Sequence, residues 1–234
     1  MRSSETKKIA ISRADRVICI SQNTAEDLIN IFGVDRDKIS VVHLGFSSVQ
    51  TEVSSRSSKI KPYLFYVGAR SGYKNFSRLV EAYASSSQLQ REFDLICFGG
   101  GAFNSDEISL FRQLNLAASS IRHVCGDDWL LGQYYRNAAI FIYPSLYEGF
   151  GIPPLEAMSY GCAVACSDGG SIPEIVGNAA VYFDPYSLDS IRDSCEKVLF
   201  DSTINDLIVA NGFQRIKKFS WEKCAEKTLQ VYKS

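Results

Sequence analysis

Short runs of β-branched and aromatic residues recur along the chain, separated by longer stretches with helical apolar spacing. The runs Arg16–Ile20, Ser40–His43, Tyr63–Val67, Phe93–Phe98, Ile121–Val124, Ile140–Tyr143, Ala163–Cys166 and Ala180–Phe183 predict strands. The amphipathic stretches Asn23–Phe32, Asn75–Ser85, Ser105–Leu114, Trp129–Asn137, Pro153–Tyr160, Ile172–Val176 and Leu188–Phe200 predict helices. Strands spaced by helices imply right-handed crossovers and a mostly parallel sheet buried on both faces. The fold expected is therefore α/β, a Rossmann-like parallel sheet flanked by helices.

Residues at the expected helix ends agree. Asn75 and Ser105 suit N-caps, Pro153 and Pro154 suit a first turn, and Gly33 and Gly161 follow helices where a left-handed residue is wanted. Thr51–Ser58 is polar, serine-rich and aperiodic, and reads as a linker. Three parts result: residues 1–50, an α/β unit over 51–219, and a short amphipathic helix over 220–234 expected to pack back on the N-terminal segment. No internal repeat is visible.

Composition removes several classes of function. A hydrophobic fraction of 46% supports a real core, while a formal net charge of −1 leaves no basic field to attract nucleic acid. The start MRSSETKK has no apolar signal core, and runs such as Ala138–Tyr143 are too short to span a bilayer. Seven cysteines, an odd number without a CxxC, suggest reduced thiols and a cytoplasmic location. Four of them, Cys19, Cys97, Cys125 and Cys166, sit in or beside the strand runs. His43 and His123 lack ligand-spaced neighbours, so no metal site is expected.

Candidate chemistry gathers where strands end. After Ile140–Tyr143 a tight loop carries Glu148, Gly149 and Gly151, and a helix starting at the prolines carries Glu156 in its first turn. Ligands of parallel α/β sheets bind beyond the carboxyl ends of the strands, where helix N-termini present N–H groups. Carboxylates there are good acceptors for vicinal hydroxyls. After Tyr63–Val67, Arg70 and Lys74 place two positive charges suited to a diphosphate. Gly99-Gly100-Gly101 follows Phe93–Phe98 but breaks GxGxxG at Asn104, so it reads as a turn beside a nucleoside. Asp127 either flanks the base or, like Asp128, caps the next helix. Asp35-Arg36-Asp37 is formally a DxD but lies between a helix and a strand, outside the pocket, and reads as a turn.

At Glu148, Gly149, Phe150, Gly151 and Glu156 the chain resembles glycosyltransferase family 4, retaining enzymes of the GT-B fold, through the pattern E-G-F-G-x-x-x-x-E. The following GCAVACSDGGSIPEIVGNAAVYFDP matches as well, and the resemblance covers nearly the whole chain. It implies the donor-binding half of such an enzyme. By that likeness Glu156 holds the ribose hydroxyls with Leu155 beside it, and Glu148 with the backbone of Gly149, Phe150 and Gly151 holds the donor sugar and distal phosphate. Arg70 and Lys74 would stabilise the leaving diphosphate without a metal or any other cofactor. Many relatives carry the arginine directly after the glycine, where Ala69 stands here. The implied reaction is transfer of a sugar from a UDP- or GDP-sugar to a glycan or lipid-linked acceptor with retention, in polysaccharide biosynthesis. Residues 1–50 correspond to the tail of the acceptor domain and the hinge. The family's N-terminal domain would supply the acceptor site and peripheral membrane association. The alternative is a sugar-nucleotide-binding module, or an inactive partial transferase lacking the acceptor domain.

Overall fold

The computed structural model describes residues 2–47 and 61–234, with side chains from Glu5 onward. The linker expected at Thr51–Ser58 lies outside the described residues. The N-terminal segment holds α1 (Arg2–Arg13), β1 (Val17–Cys19), α2 (Gln22–Phe32) and β2 (Ile39–Val41), with β1 and β2 paired in parallel. Ser21 caps α2 by accepting from the Thr24 amide, and Gly33 ends it at φ 66°. Asp35 accepts from the Asp37 amide in a short 3-10 turn, so the DxD-like triplet is a turn.

The larger unit runs β3 (Tyr63–Val67), α3 (Phe76–Ser85), α4 (Ser87–Glu92), β4 (Asp94–Phe98), α5 (Ser105–Gln113), β5 (Ile121–Val124) and α6 (Asp128–Asn137). It continues with β6 (Ile140–Tyr143), α7 (Ile152–Ser159), β7 (Val164–Ser167), α8 (Ile172–Val176), β8 (Val181–Phe183), α9 (Leu188–Phe200), α10 (Ser202–Ile216) and α11 (Trp221–Lys233). Six parallel strands form one sheet in the order β5-β4-β3-β6-β7-β8. The first three strands are laid down in one direction from the centre and the last three in the other. The order reverses between β3 and β6, and the loops leaving these two strands diverge there. Such a switch point is where open α/β sheets bind ligands.

Strand periodicity divides the core into two layers. Leu64 and Tyr66 of β3 and Ile140 and Ile142 of β6 pack with Phe76, Leu79, Val80, Leu95, Ile191 and Val198 on one face. Their neighbours Tyr63, Phe65, Phe141 and Tyr143 pack with Tyr135, Leu155, Met158 and Ile172 on the other. Both faces are thus covered, as parallel sheets require. Each fully buried Leu, Ile or Phe contributes roughly 1.5–3 kcal/mol.

Three helices were not anticipated: α1, α4 and α10. The last packs on α7, where the α-carbon hydrogen side of Gly212 faces Met158, and its sequence STINDLIVANGFQRI has only a weak apolar stripe. The cap of α5 is Asn104 rather than Ser105, in a capping box with Glu107. Asn75 stands at the start of α3 at φ 57°, but its side chain makes no cap bond. Cys125 is exposed and Cys224 half-exposed, whereas Cys19, Cys97, Cys162, Cys166 and Cys195 are buried, and all are free thiols.

Candidate functional site

The two loops at the switch point are fastened to each other. Leu146 N–H donates to Tyr73 O at 2.7 Å, and Asn75 Nδ2 donates to Pro144 O at 3.1 Å and Pro185 O at 2.8 Å. Asn75 has exchanged its cap role for this bridge. Immediately before it, Lys74 Nζ lies 2.8 Å from Glu148 Oε1, in an ion pair mostly shielded from solvent. The ammonium also lies 5.1 Å from the Tyr73 ring and 5.7 Å from the Tyr143 ring. Tyr143 ends β6 against Glu148, and burial first, then the Glu148 charge, raise its phenol far above the usual range. Strand ends therefore bring together a cation, a carboxylate and a neutral phenol.

Arg70 does not join this group. Its side chain is 4% exposed, with Nε 2.7 Å from Glu107 Oε1. Its Nη atoms donate to Gly99 O at 2.8 Å, Gly101 O at 2.8 Å and Ala102 O at 3.0 Å. The rings of Phe103 and Phe76 flank it at 4.9 and 5.8 Å. Arg70 thus faces the glycine turn, apart from the Lys74–Glu148 pair. Its offset from the glycine carries it into the glycine turn, where most of its N–H groups have partners. Gly99, Gly100 and Gly101 all have positive φ (80°, 71° and 75°), which L side chains rarely adopt. A Cβ on Gly100 would lie 2.6 Å from Gly68 O, so the turn presses on the β3 loop.

Glu156 lies just past the first turn of α7, not in it as expected, and does not join the Lys74–Glu148 pair. Tyr135 OH donates to Glu156 Oε2 at 3.0 Å. Together with Phe46, Ser47, Asp128, Leu131, Ser159 and Tyr160 these residues line a cavity of about 160 Å³. Burial raises the Glu156 carboxyl above its ordinary 4.5, against the lowering effect of the Tyr135 bond, with a smaller upward push from Asp128. Leu155 is fully buried in the core, so its side chain reaches no ligand. Phe150 is 4% exposed, with its ring 5.8 Å from Phe219 and 6.1 Å from His43. Only the backbone of these two residues is open to a binding role. Gly151, at φ 97°, precedes α7 without a side-chain cap, and Pro153 and Pro154 carry no N–H. The amides of residues 149–152 are the donors of this helix start.

Asp127 caps α6 by accepting from the Leu130 amide at 2.9 Å, the second of its two expected roles. Other residues enter the site that sequence reasoning missed. Tyr135 and Tyr143 hold the two glutamates, and the signal for Tyr143 was its place as the last strand residue. Ser171 Oγ donates to Glu148 O at 2.9 Å or Phe150 O at 3.0 Å, bracing the loop from below. Gly170 permits this approach, since a Cβ there would lie 2.9 Å from the Glu148 backbone. Among the described residues no group of three or more His, Cys, Asp and Glu side chains is arranged to hold a metal. No helix among them is long and apolar enough to cross a membrane.

The sequence profile described as glycosyl transferases group 1 matches residues 50–215, and that described as Glycosyltransferase Family 4 matches residues 2–48. O-antigen chain mannosyltransferase B of Escherichia coli is 30% identical over 237 residues, covering 96% of this chain and 62% of that protein. An uncharacterized glycosyltransferase of Methanocaldococcus jannaschii is 28% identical, covering 93% of this chain and 60% of that protein. The chain thus spans less than two-thirds of the length of these relatives. Among solved structures, Anabaena HepE in complex with UDP and glucose superposes with a TM-score of 0.83 at 18% identity, covering 97% of this chain and 65% of that one. Sucrose-phosphate synthase of Thermosynechococcus elongatus gives 0.82 at 23% identity, covering 98% and 60%. These two likenesses establish the fold, and the profile matched over most of the chain establishes the family: this protein is a member of the group 1 glycosyl transferases, with the GT-B type of Rossmann-like domain.

Proposed function

We propose that the chain is the donor-binding part of a metal-independent, retaining hexosyltransferase that takes its sugar from a nucleoside diphosphate. The relatives with mannosyltransferase names favour mannose as that sugar and a glycan as acceptor. The observation that carries the reading is the Lys74–Glu148 pair at the switch point, with Glu156 on the helix that follows.

In this reading the ribose occupies the Glu156 cavity and its hydroxyls donate to the carboxylate. The diphosphate lies toward Lys74 and the amides of residues 149–152, and the sugar lies against Glu148. Cleavage of the bond between the anomeric carbon and phosphate leaves negative charge on the departing diphosphate. A fixed ammonium and preorganised amides stabilise that charge more in the transition state than in the ground state. The Lys74–Glu148 pair also keeps both groups in register before the donor arrives. Acceptance of a donor then exchanges part of this pairing for phosphate and hydroxyl contacts.

Calorimetry with GDP, UDP, GDP-mannose and UDP-glucose in excess EDTA tests the reading. Binding should persist under chelation and weaken by about tenfold or more in Lys74→Ala, the equivalent of at least ~1.4 kcal/mol. Binding that requires a divalent ion, or is indifferent to Lys74, would refute it. A second reading is a sugar-nucleotide-binding module that transfers nothing. Acceptor-dependent release of the nucleotide separates the two.

A further inference from the structure

The donor loop is gripped from two sides, and only one belongs to the six-stranded unit. Ser171 holds the carbonyls of Glu148 and Phe150 from β7 onward. From the opposite side comes the first turn of α2, in the N-terminal segment. Ser21, fully buried, donates to Gly149 O at 2.8 Å. Thr24 Oγ1 lies 3.3 Å from the same carbonyl. Asn23 Nδ2 donates to the Tyr147 hydroxyl at 3.1 Å, and that hydroxyl donates in turn to the Asp27 carboxylate. Burial, followed by the hydrogen bond to Asp27, pushes the Tyr147 phenol up to about 12, so it stays a donor throughout the ordinary pH range.

The residues so held, Tyr147 and Gly149, are the immediate neighbours of Glu148. We infer that the first turn of α2 is a positioning element for the donor loop: the hydroxyls of Ser21, Thr24 and Tyr147 set the direction of the Glu148 carboxylate toward the transferred sugar. None of the α2 residues touches the donor. They act through the backbone of the loop, and fixing both flanking residues leaves Glu148 few alternative directions. A second anchor keeps α2 in place for this task. The Glu174 carboxylate accepts from the Gln22 amide at 2.9 Å and the Asn23 amide at 3.3 Å, and meets His43 Nε2 at 2.6 Å. A carboxylate at a helix N-terminus is favoured by the orphan amides there. The inference rests on the reading that Glu148 holds the sugar and Lys74 the diphosphate.

The test compares two ligands that differ only by the sugar. Thr24→Val combined with Tyr147→Phe removes two of the three hydroxyls while Ser21 still caps α2. Ser21→Ala is the second variant and reads the remaining contact. GDP-mannose against GDP, and UDP-glucose against UDP, are titrated into the 234-residue chain. The expected result is a loss in affinity for the sugar nucleotide at least fivefold larger than the loss for the bare diphosphate. A merely structural role would weaken both ligands of a pair together, and that outcome overturns the inference. So does an unchanged ratio in both variants. An unsubstituted chain that binds neither pair overturns the donor-site reading and the inference with it.

Discussion

Glu156 shows how burial shapes a single residue. Its carboxyl sits in a small cavity with one hydrogen bond, from Tyr135, which leaves acceptor capacity for further donors. Burial raises its pKa above 4.5, and the sign of the consequences follows. Folding is favoured most when the group is protonated, below its unfolded value, and loses stability as pH rises through the raised folded value. Ribose hydroxyls, by contrast, donate to the ionised form. Nucleotide affinity should therefore fall, by up to tenfold per pH unit, as pH drops below the raised value. Glu156→Gln removes that pH dependence and a charge-assisted acceptor worth roughly 1.5–3 kcal/mol of binding. It should leave the melting temperature unchanged or higher at neutral pH, because a buried charge has gone. Calorimetry and thermal melts across pH check both halves, and a variant that keeps the pH profile would show that another group titrates. Arg70 illustrates the opposite case. An arginine spaced for a phosphate was legible, but its pairing with Glu107 and three carbonyls was not.

Among elements, the glycine turn after β4 carries the clearest consequence. Gly99 and Gly100 share left-handed backbone, so alanine at either costs about 1–2 kcal/mol in strain. Only Gly100 adds a collision, with its Cβ 2.6 Å from Gly68 O and 2.9 Å from Arg70 Nη1, whereas a Cβ on Gly99 meets no atom within 4 Å. Gly100→Ala should thus lower the melting temperature by several degrees more than Gly99→Ala, since about 1 kcal/mol corresponds to roughly 2–4 °C at this chain length. It should also displace the β3 loop that carries Lys74, and so weaken diphosphate binding. Equal melting temperatures for the two variants would show that the turn gives way without disturbing the loop. The strands of the sheet were largely legible. Tyr63–Val67, Ile121–Val124 and Ile140–Tyr143 stand as read; in the first and last an uninterrupted apolar run leaves little choice of conformation. Helices α4 and α10 were not, because one is only six residues long and the other has no strong apolar face.

Across the whole molecule, the N-terminal segment and the larger unit are joined at few but specific points. Glu174 binds the first amides of α2 and His43, Arg215 Nε donates to Ile175 O at 2.7 Å behind it, and the start of α11 packs on Gly45. Glu174→Ala should release α2, a loss of about 1 kcal/mol in local stability. Amide exchange in α2 should then quicken several-fold while α6 and the central strands keep their protection. Unchanged exchange in α2 would mean that the Ser21 and Tyr147 contacts suffice to hold it.

The sequence by itself determined the α/β architecture, the family, and the loops that carry Lys74, Glu148 and Glu156, since strand runs, helix periods and the E-G-F-G-x-x-x-x-E spacing are local properties of the chain. Tertiary structure alone decided what each charged side chain faces. Lys74 and Glu148 are 74 positions apart, Arg70 and Glu107 are 37 apart, and Ser21 and Gly149 are 128 apart. Such pairings depend on strand order and on the packing of separate segments. Burial then fixes their strength, because a charge taken out of water must be satisfied by whichever partner the fold brings within reach.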